Sequence, residues 1–296
     1  MSWRHFGVFL IVNLAWATNT IVSKYVVSTL GVPPLFYTAA RFGMVIAMLI
    51  PWLWPPPAYF WRMAFVGFLV GGLNFGLFFI GLRTADASSA TIVAQIGVPL
   101  TLVLSVLLLG ERIGWRRGLG IVLALVGAGI VTWDPRGLTL SVGLVFVAGS
   151  AASLALGSVL AKKMPPLGPL QFQAWVGVVS FVPLALASAV LEHDRMGAVL
   201  DPGWQLLAAT VYSAGIGSIL GFAVYYALLQ KYEANLLVPL TLLTPLMTIV
   251  LSMILFGETL DLRTAFGAGL ALAGVLVIVL RRRSPTPIAT FIRNRS

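Results

Sequence analysis

Apolar residues run along this chain in ten long blocks, broken by short polar or proline-rich punctuation. The blocks fall at about 5–27, 34–54, 59–82, 87–109, 116–133, 141–161, 168–190, 204–229, 233–256 and 263–280. Each is near the ~20 residues that an α-helix needs to cross ~30 Å of hydrocarbon. Within a block the polar residues neither alternate nor leave a polar face, as a half-exposed strand or a soluble helix would require. Prolines stand at block edges, as at Pro33-Pro34, Pro55-Pro56-Pro57 and Pro165-Pro166, where the missing N–H costs little. The pattern predicts an all-α membrane protein of ten transmembrane helices. The first block carries Arg4 and an Ala15-Trp16-Ala17 that imitates a signal cleavage site, but it is read as a retained helix.

The pattern is written twice. Shifted by 147 positions, 101–127 overlays 248–274 with identity at 13 of 27 positions, including Gly110-Glu111 on Gly257-Glu258. Such a repeat signals duplication. The expected division is 1–136, 137–283 and a basic tail, 284–296.

Composition and charge then fix the setting. The 296 residues are 59% hydrophobic and 9% charged, without cysteine. A soluble domain carries about a quarter charged residues, so lipid is the expected solvent. Placing both termini in the cytoplasm puts thirteen Lys and Arg inside and five outside, with Arg41 left within a span. That is a positive-inside bias, and it predicts a multi-pass protein of the inner or plasma membrane. The basic tail reads as a topology signal and lipid contact, with no nucleic-acid partner. Five spans per half is an odd number, so Gly110-Glu111 falls at the cytoplasmic face and Gly257-Glu258 at the outer face. This is an inverted-topology repeat, an arrangement used by many secondary transporters with a midplane site between the repeats.

Several residues carry a resemblance. Leu14-Ala15-Trp16-Ala17-Thr18-Asn19 with Lys24, then Pro33-Pro34 and Ala40-Arg41-Phe42, resemble the opening of EamA-type members of the drug/metabolite transporter superfamily. Gly81-Leu82, Ala87, Ala90, Pro99 and Leu109-Gly110-Glu111-Arg112 resemble its next signature. The second half echoes this signature in Ala227-Leu228, Ala234, Pro245 and Phe256-Gly257-Glu258-Thr259. Two departures are visible. Pro99 precedes its glutamate by twelve residues and Pro245 by thirteen, while Leu154 and Gly157 face Trp16 and Asn19 at an offset of 138. The resemblance implies a ten-helix metabolite exporter, similar in layout to the superfamily's amino-acid exporters, with helices 1, 3, 4, 6, 8 and 9 around a central cavity.

Polar residues deep in those helices face protein or a water-filled cavity. The substrate-binding candidates are Trp16, Asn19, Asn74, Phe78, Gln95, Ser153, Tyr225 and Thr244. Ser and Thr read first as helix–helix glue. For the amides, with several hydrogen bonds to satisfy, site and glue stand level. Phe78 and Tyr225 are repeat mates and are expected as paired cavity walls. Pro99 and Pro245, each lacking a helix donor, are candidate gating hinges. Arg41, about 10 Å below the outer edge at 1.5 Å per residue, either binds a substrate carboxylate or, as the favoured reading, snorkels or pairs near the outer face. The stripes Gly120, Ala124, Gly127 and Gly267, Ala271, Gly274 allow close helix approach, read first as packing within the fold, with a monomer or weak homodimer expected.

No Asp or Glu sits mid-span, which favours gradient-driven export of a neutral or zwitterionic solute. No nucleophile–base pair, metal cluster or phosphate loop is present, so neither an enzyme nor an ATP-driven pump is expected, and no cofactor or metal. The function expected is secondary export of small metabolites, foremost amino acids including aromatic and hydrophobic ones, by alternating access. The alternatives are a multidrug or other-metabolite exporter of the same fold, or a non-transporting receptor or scaffold.

Overall fold

A computed structural model describes residues 2–110, 114–134, 139–165, 167–199, 201, 203–232 and 240–279. Glu111, Arg112, Arg136, Ala234, the start of the ninth block and the basic tail 284–296 lie outside the described residues.

The first half holds α1 (Trp3–Lys24), α2 (Pro34–Leu49), α3 (Phe60–Phe68), α4 (Asn74–Leu82), α5 (Ala87–Ala94), α6 (Gly97–Leu109) and α7 (Trp115–Thr132). The second holds α8 (Val142–Ala161), α9 (Pro169–Leu191), α10 (Trp204–Tyr212), α11 (Gly221–Lys231), α12 (Leu243–Phe256) and α13 (Leu262–Val279). Several of these join end to end. Among the described residues, seven helical stretches are long and apolar enough to cross a membrane, and Gly118–Val131, Leu243–Phe256 and Leu262–Ile278 are shorter apolar helices. One small departure from all-α is a two-residue antiparallel pair between α7 and α8, with Trp133 opposite Leu140 and Asp134 opposite Thr139.

Local chemistry sets the ends. Pro34 and Pro169 open α2 and α9 at the first helical position, where the fixed φ suits a helix start. Gly110 and Gly257 close α6 and α12 at φ +68 and +64, the left-handed cap that glycine adopts without strain. They are repeat mates, so the caps are duplicated with the sequence.

Three spans are not plain α-helix. π-helical turns cover Tyr25–Thr29, Leu69–Leu73 and Ser213–Leu220. Under the 147-residue shift the second maps onto 216–220, within the third, and the two hold Gly71-Gly72 and Gly215, Gly217. The fourth block breaks at Gln95–Ile96, and its counterpart before α12 breaks at Thr241–Leu242. α6 has 13 residues and α12 has 14, so the one-residue slip of the proline is a slip of the break. Each proline sits at the third position of its helix, where no intrahelical donor is needed. The prolines therefore stand just past a helix break, rather than removing a bond from a continuous helix.

The halves interlock. The most extensive helix contacts pair α7 with α13, α2 with α9, α4 with α8 and α1 with α12, each crossing from one half to the other, while α8 also packs on α6. The small-residue stripes face one another across the α7–α13 pair. A Cβ added at Gly127 would lie 2.3 Å from Ala271 N, and one at Gly274 2.4 Å from Ala124 N. The stripes are thus consumed inside one chain. The first block is buried on one face at Phe9, Val12, Asn13 and Ala17, an integral part of the core.

Candidate functional site

Between the halves lies a cavity of about 320 Å³. Its first-half wall is Arg41 from α2, Asn74, Phe75, Phe78 and Phe79 from α4, and Thr91, Ala94 and Gln95 at the end of α5. Trp16, Asn19 and Thr20 of α1 close another side. The second half contributes Ser150, Ala151 and Leu154 of α8, Gly217, Phe222, and Thr241, Thr244 and Pro245 at the second break. Both helix breaks and, through Gly217, the Ser213–Leu220 π turn thus meet the same space, and Asn74 enters it directly after the Leu69–Leu73 turn.

The π turns explain much of the polar pattern. A π turn shifts the hydrogen-bond register and leaves carbonyls to be satisfied from elsewhere. Asn74 Nδ2 donates to Val70 O at 3.2 Å, and Ser153 Oγ to Leu69 O at 2.8 Å. In the other half Trp16 Nε1 donates to Gly217 O at 3.1 Å, and Ser218 Oγ to Ser213 O at 3.1 Å. A Cβ at Gly217 would lie 2.9 Å from the Asn19 amide, so a glycine there lets α1 seat. Asn19 Oδ1 accepts from Ser213 Oγ at 2.7 Å, and Ser213 Oγ lies 2.6 Å from the Tyr37 hydroxyl. Thr244 Oγ1 donates to Asn13 Oδ1 at 2.7 Å, tying α12 to α1. The side-chain amide of Gln95 makes no hydrogen bond among the described residues.

Six of the eight expected site residues are therefore brought together: Trp16, Asn19, Asn74, Phe78, Gln95 and Thr244, with Pro245 beside them. Ser153 is turned away onto Leu69. Tyr225 lies behind Trp16, 5.8 Å between ring centroids, and stacks on Phe9 at 6.2 Å. Pro99 is buried outside the lining. The repeat-related aromatic pair facing the cavity is Phe75 and Phe222, 147 apart, rather than Phe78 and Tyr225. The cause is the unequal pair Trp16 and Leu154: the indole covers Tyr225, while the smaller leucine leaves Phe78 open.

Arg41 corrects a second expectation. It is 1% exposed and is turned into the protein. Nε and Nη2 donate to Ser218 Oγ at 3.2 and 2.6 Å. The guanidinium carbon sits 3.9 Å from the Phe75 ring centroid, a cation–π contact. Three aromatic faces (Phe42, Phe75 and Phe79) and one hydroxyl surround the charge, where snorkelling or a pairing near the outer face was expected.

Two carboxylates at the ends of spans do different work. Glu258, just past α12, accepts from Ala87 N at 2.8 Å and Ser88 N at 3.2 Å, with the Ser88 hydroxyl as a third donor. It caps α5, where a negative charge meets the helix dipole. Glu192 caps α2 through Leu35 N and Phe36 N at 3.0 and 2.9 Å. Lys24 Nζ donates to Leu82 O and Ala85 O at 3.1 and 2.6 Å, closing the end of α4. Beside them Asp86 has its carboxyl pushed up, first by burial and then by Glu258, with Lys24 opposing.

The sequence profile of the EamA-like transporter family matches residues 5–133 and again 141–280. The chain belongs to the EamA-like transporter family. It is a multi-pass membrane transporter. Over 280 residues it is 26% identical to a probable amino-acid metabolite efflux pump of Salmonella typhimurium, covering 91% of this chain and 93% of the relative. The corresponding Escherichia coli protein, named likewise, is 24% identical over 283 residues, 93% and 94% of the two chains. An uncharacterized transporter of Archaeoglobus fulgidus is 23% identical over 273 residues, 90% and 95% of the two. A solved structure matches the whole of both chains with a TM-score of 0.61 at 19% identity, a likeness of fold.

The sequence reading put six binding candidates in the cavity but did not single out Phe75, Phe79, Phe222 or the π turns. A signal for the turns was present: closely spaced glycines, Gly71-Gly72 and Gly215 with Gly217, within long apolar runs.

Proposed function

We propose that this EamA-like transporter exports small amino-acid-like metabolites by alternating access through the central cavity. The observation that carries the reading is the convergence of repeat-equivalent features, the two helix breaks and the Phe75–Phe222 pair, on one space between the halves. In an inverted repeat such features supply equivalent gates on the two sides. The proposed topology is ten spans in two oppositely oriented five-helix halves, with both termini cytoplasmic and the protein in the inner membrane. The thirteen-to-five distribution of Lys and Arg supports this orientation.

The cavity mixes aromatic faces with amides and hydroxyls, which suits a small solute with one polar end and one apolar end. The names of the Salmonella and Escherichia relatives point the same way. Transport runs down the solute gradient, a reading supported by the lack of a carboxylate among the described residues of the lining. The helix breaks at Gln95–Ile96 and Thr241–Leu242 are the hinges, with Pro99 and Pro245 fixing where α6 and α12 begin. Glu258 on the α5 N-terminus is the latch of the outer gate. An exporter of other amphipathic metabolites or drugs is the second reading, favoured by the five aromatic residues of the lining.

The test is a whole-cell one. Cells fed a dipeptide of a hydrophobic amino acid accumulate that amino acid; cells expressing the protein are expected to release it faster and resist its toxicity. Equal release with and without the protein, across the hydrophobic and aromatic amino acids, refutes the amino-acid reading.

A further inference from the structure

We propose that Arg41 is the carboxylate-binding residue of the central cavity, so that a solute must carry a carboxylate to be bound. This rests on the cavity being the transport site.

The guanidinium offers two hydrogen-bonding edges. One, Nε with Nη2, is taken by Ser218 Oγ. At the other edge Nη1 is buried and has no hydrogen-bond partner in the protein. The charge also has no acidic partner among the described residues. A guanidinium stays protonated in a protein, and a cation left unpaired inside a membrane protein is costly. Stacking on Phe75 at 3.9 Å offsets part of that cost. A carboxylate offsets more, because it meets the free edge as a planar pair of acceptors.

The surroundings define the rest of the solute. Phe75 covers the guanidinium, and Phe78 and Trp16 border the same space. A carboxylate reaches Nη1 when the Phe75 ring turns aside, and the apolar part of the solute then packs on the displaced ring. Ser218 and Arg41 belong to opposite halves and are joined by this contact. Solute binding is thereby coupled to the interface that moves in alternating access. The acceptors that an ammonium meets in the described lining, amides such as Gln95 and Asn74 and several hydroxyls, are all uncharged. The carboxylate is therefore required and the ammonium is dispensable.

The test uses the purified full chain with phenylalanine, phenylalaninamide and N-acetylphenylalanine. Binding is read by ligand-induced thermal stabilisation, and efflux from proteoliposomes by labelled solute. The wild type is expected to bind phenylalanine and N-acetylphenylalanine and to bind the amide ~10–100-fold more weakly. Arg41→Met, of similar length, removes that preference, and Arg41→Lys, which keeps charge but not the fork, restores part of it. Arg41→Met that still separates acid from amide overturns the proposal, as does failure of both carboxylate probes to bind the wild type. Carboxylate binding that needs Arg41 but gives no efflux keeps this assignment and sinks the transport reading. Efflux of acid and amide alike keeps transport and sinks this assignment.

Discussion

Replacing Gly127 by alanine should weaken the protein although it adds a single methyl group. The new Cβ would lie 2.3 Å from Ala271 N, 2.6 Å from Gly267 O and 2.8 Å from Ala271 Cα, all backbone atoms of α13. Ordinary contact begins near 3.4 Å, so the helices must part by about 1 Å. No flexible side chain is there to give way. In lipid no hydrophobic force holds two helices together, and van der Waals packing carries the pair. If the crossing has as many atom pairs as one buried leucine, ~50 at ~0.15 kcal/mol each, a 0.5–1 Å gap forfeits a quarter to a half of that, about 2–4 kcal/mol. This overlaps the ~1–3 kcal/mol common for overpacking. Gly129, on the same helix, has nothing within 4 Å of its added Cβ. Gly129→Ala should therefore be neutral, or slightly stabilising through helix propensity. The assay is thermal unfolding of both variants in nanodiscs, with efflux measured below the transition. The expected result is a lower transition for Gly127→Ala alone, with the apparent solute affinity of the folded fraction unchanged because α7 and α13 contribute nothing to the cavity lining. Equal transitions for the two variants would refute the reasoning.

Glu258→Gln removes the charge from the outer latch and should cost it about 1–2 kcal/mol. Solvent accessibility of a cysteine placed at Thr91 should rise from the outside; an unchanged labelling rate argues against a gate there. Pro99→Ala or Pro245→Ala should let the break heal into continuous helix and slow transport more than it lowers stability, and unchanged rates would dismiss the hinges. Asp86, pushed up by burial and Glu258, holds its proton more tightly folded than unfolded. Its contribution is fully present below the ordinary aspartate value of 3.8 and is lost as pH rises through the raised folded value. Asp86→Asn should flatten that limb of a stability–pH profile; superimposable profiles would contradict it.

Which parts were legible in the sequence follows from range. Span lengths, the Gly110 and Gly257 caps and the small-residue faces are decided by residues close in sequence, and the repeat makes each readable twice. Asn19, Asn74 and Gln95 could be placed deep because an amide in lipid has few alternatives. The direction of Arg41 could not be read, because Phe75 and Ser218, on other elements, decide it. Tyr225 was assigned to the cavity on symmetry, but the symmetry is broken by Trp16 facing Leu154, a difference visible in sequence whose consequence is visible only in packing. The π turns need tertiary partners for their freed carbonyls, and Ser153 and Trp16 supply them from other helices.

The central claim is that solute leaves through the cavity between the two halves. The most direct measurement is efflux of labelled phenylalanine and leucine from proteoliposomes, comparing the wild type with Ala94→Phe, which fills the cavity from its wall. The account predicts release by the wild type without an imposed proton gradient, and its loss in Ala94→Phe at unchanged thermal stability. Release that persists in a folded Ala94→Phe protein, or that needs the proton gradient, would contradict it.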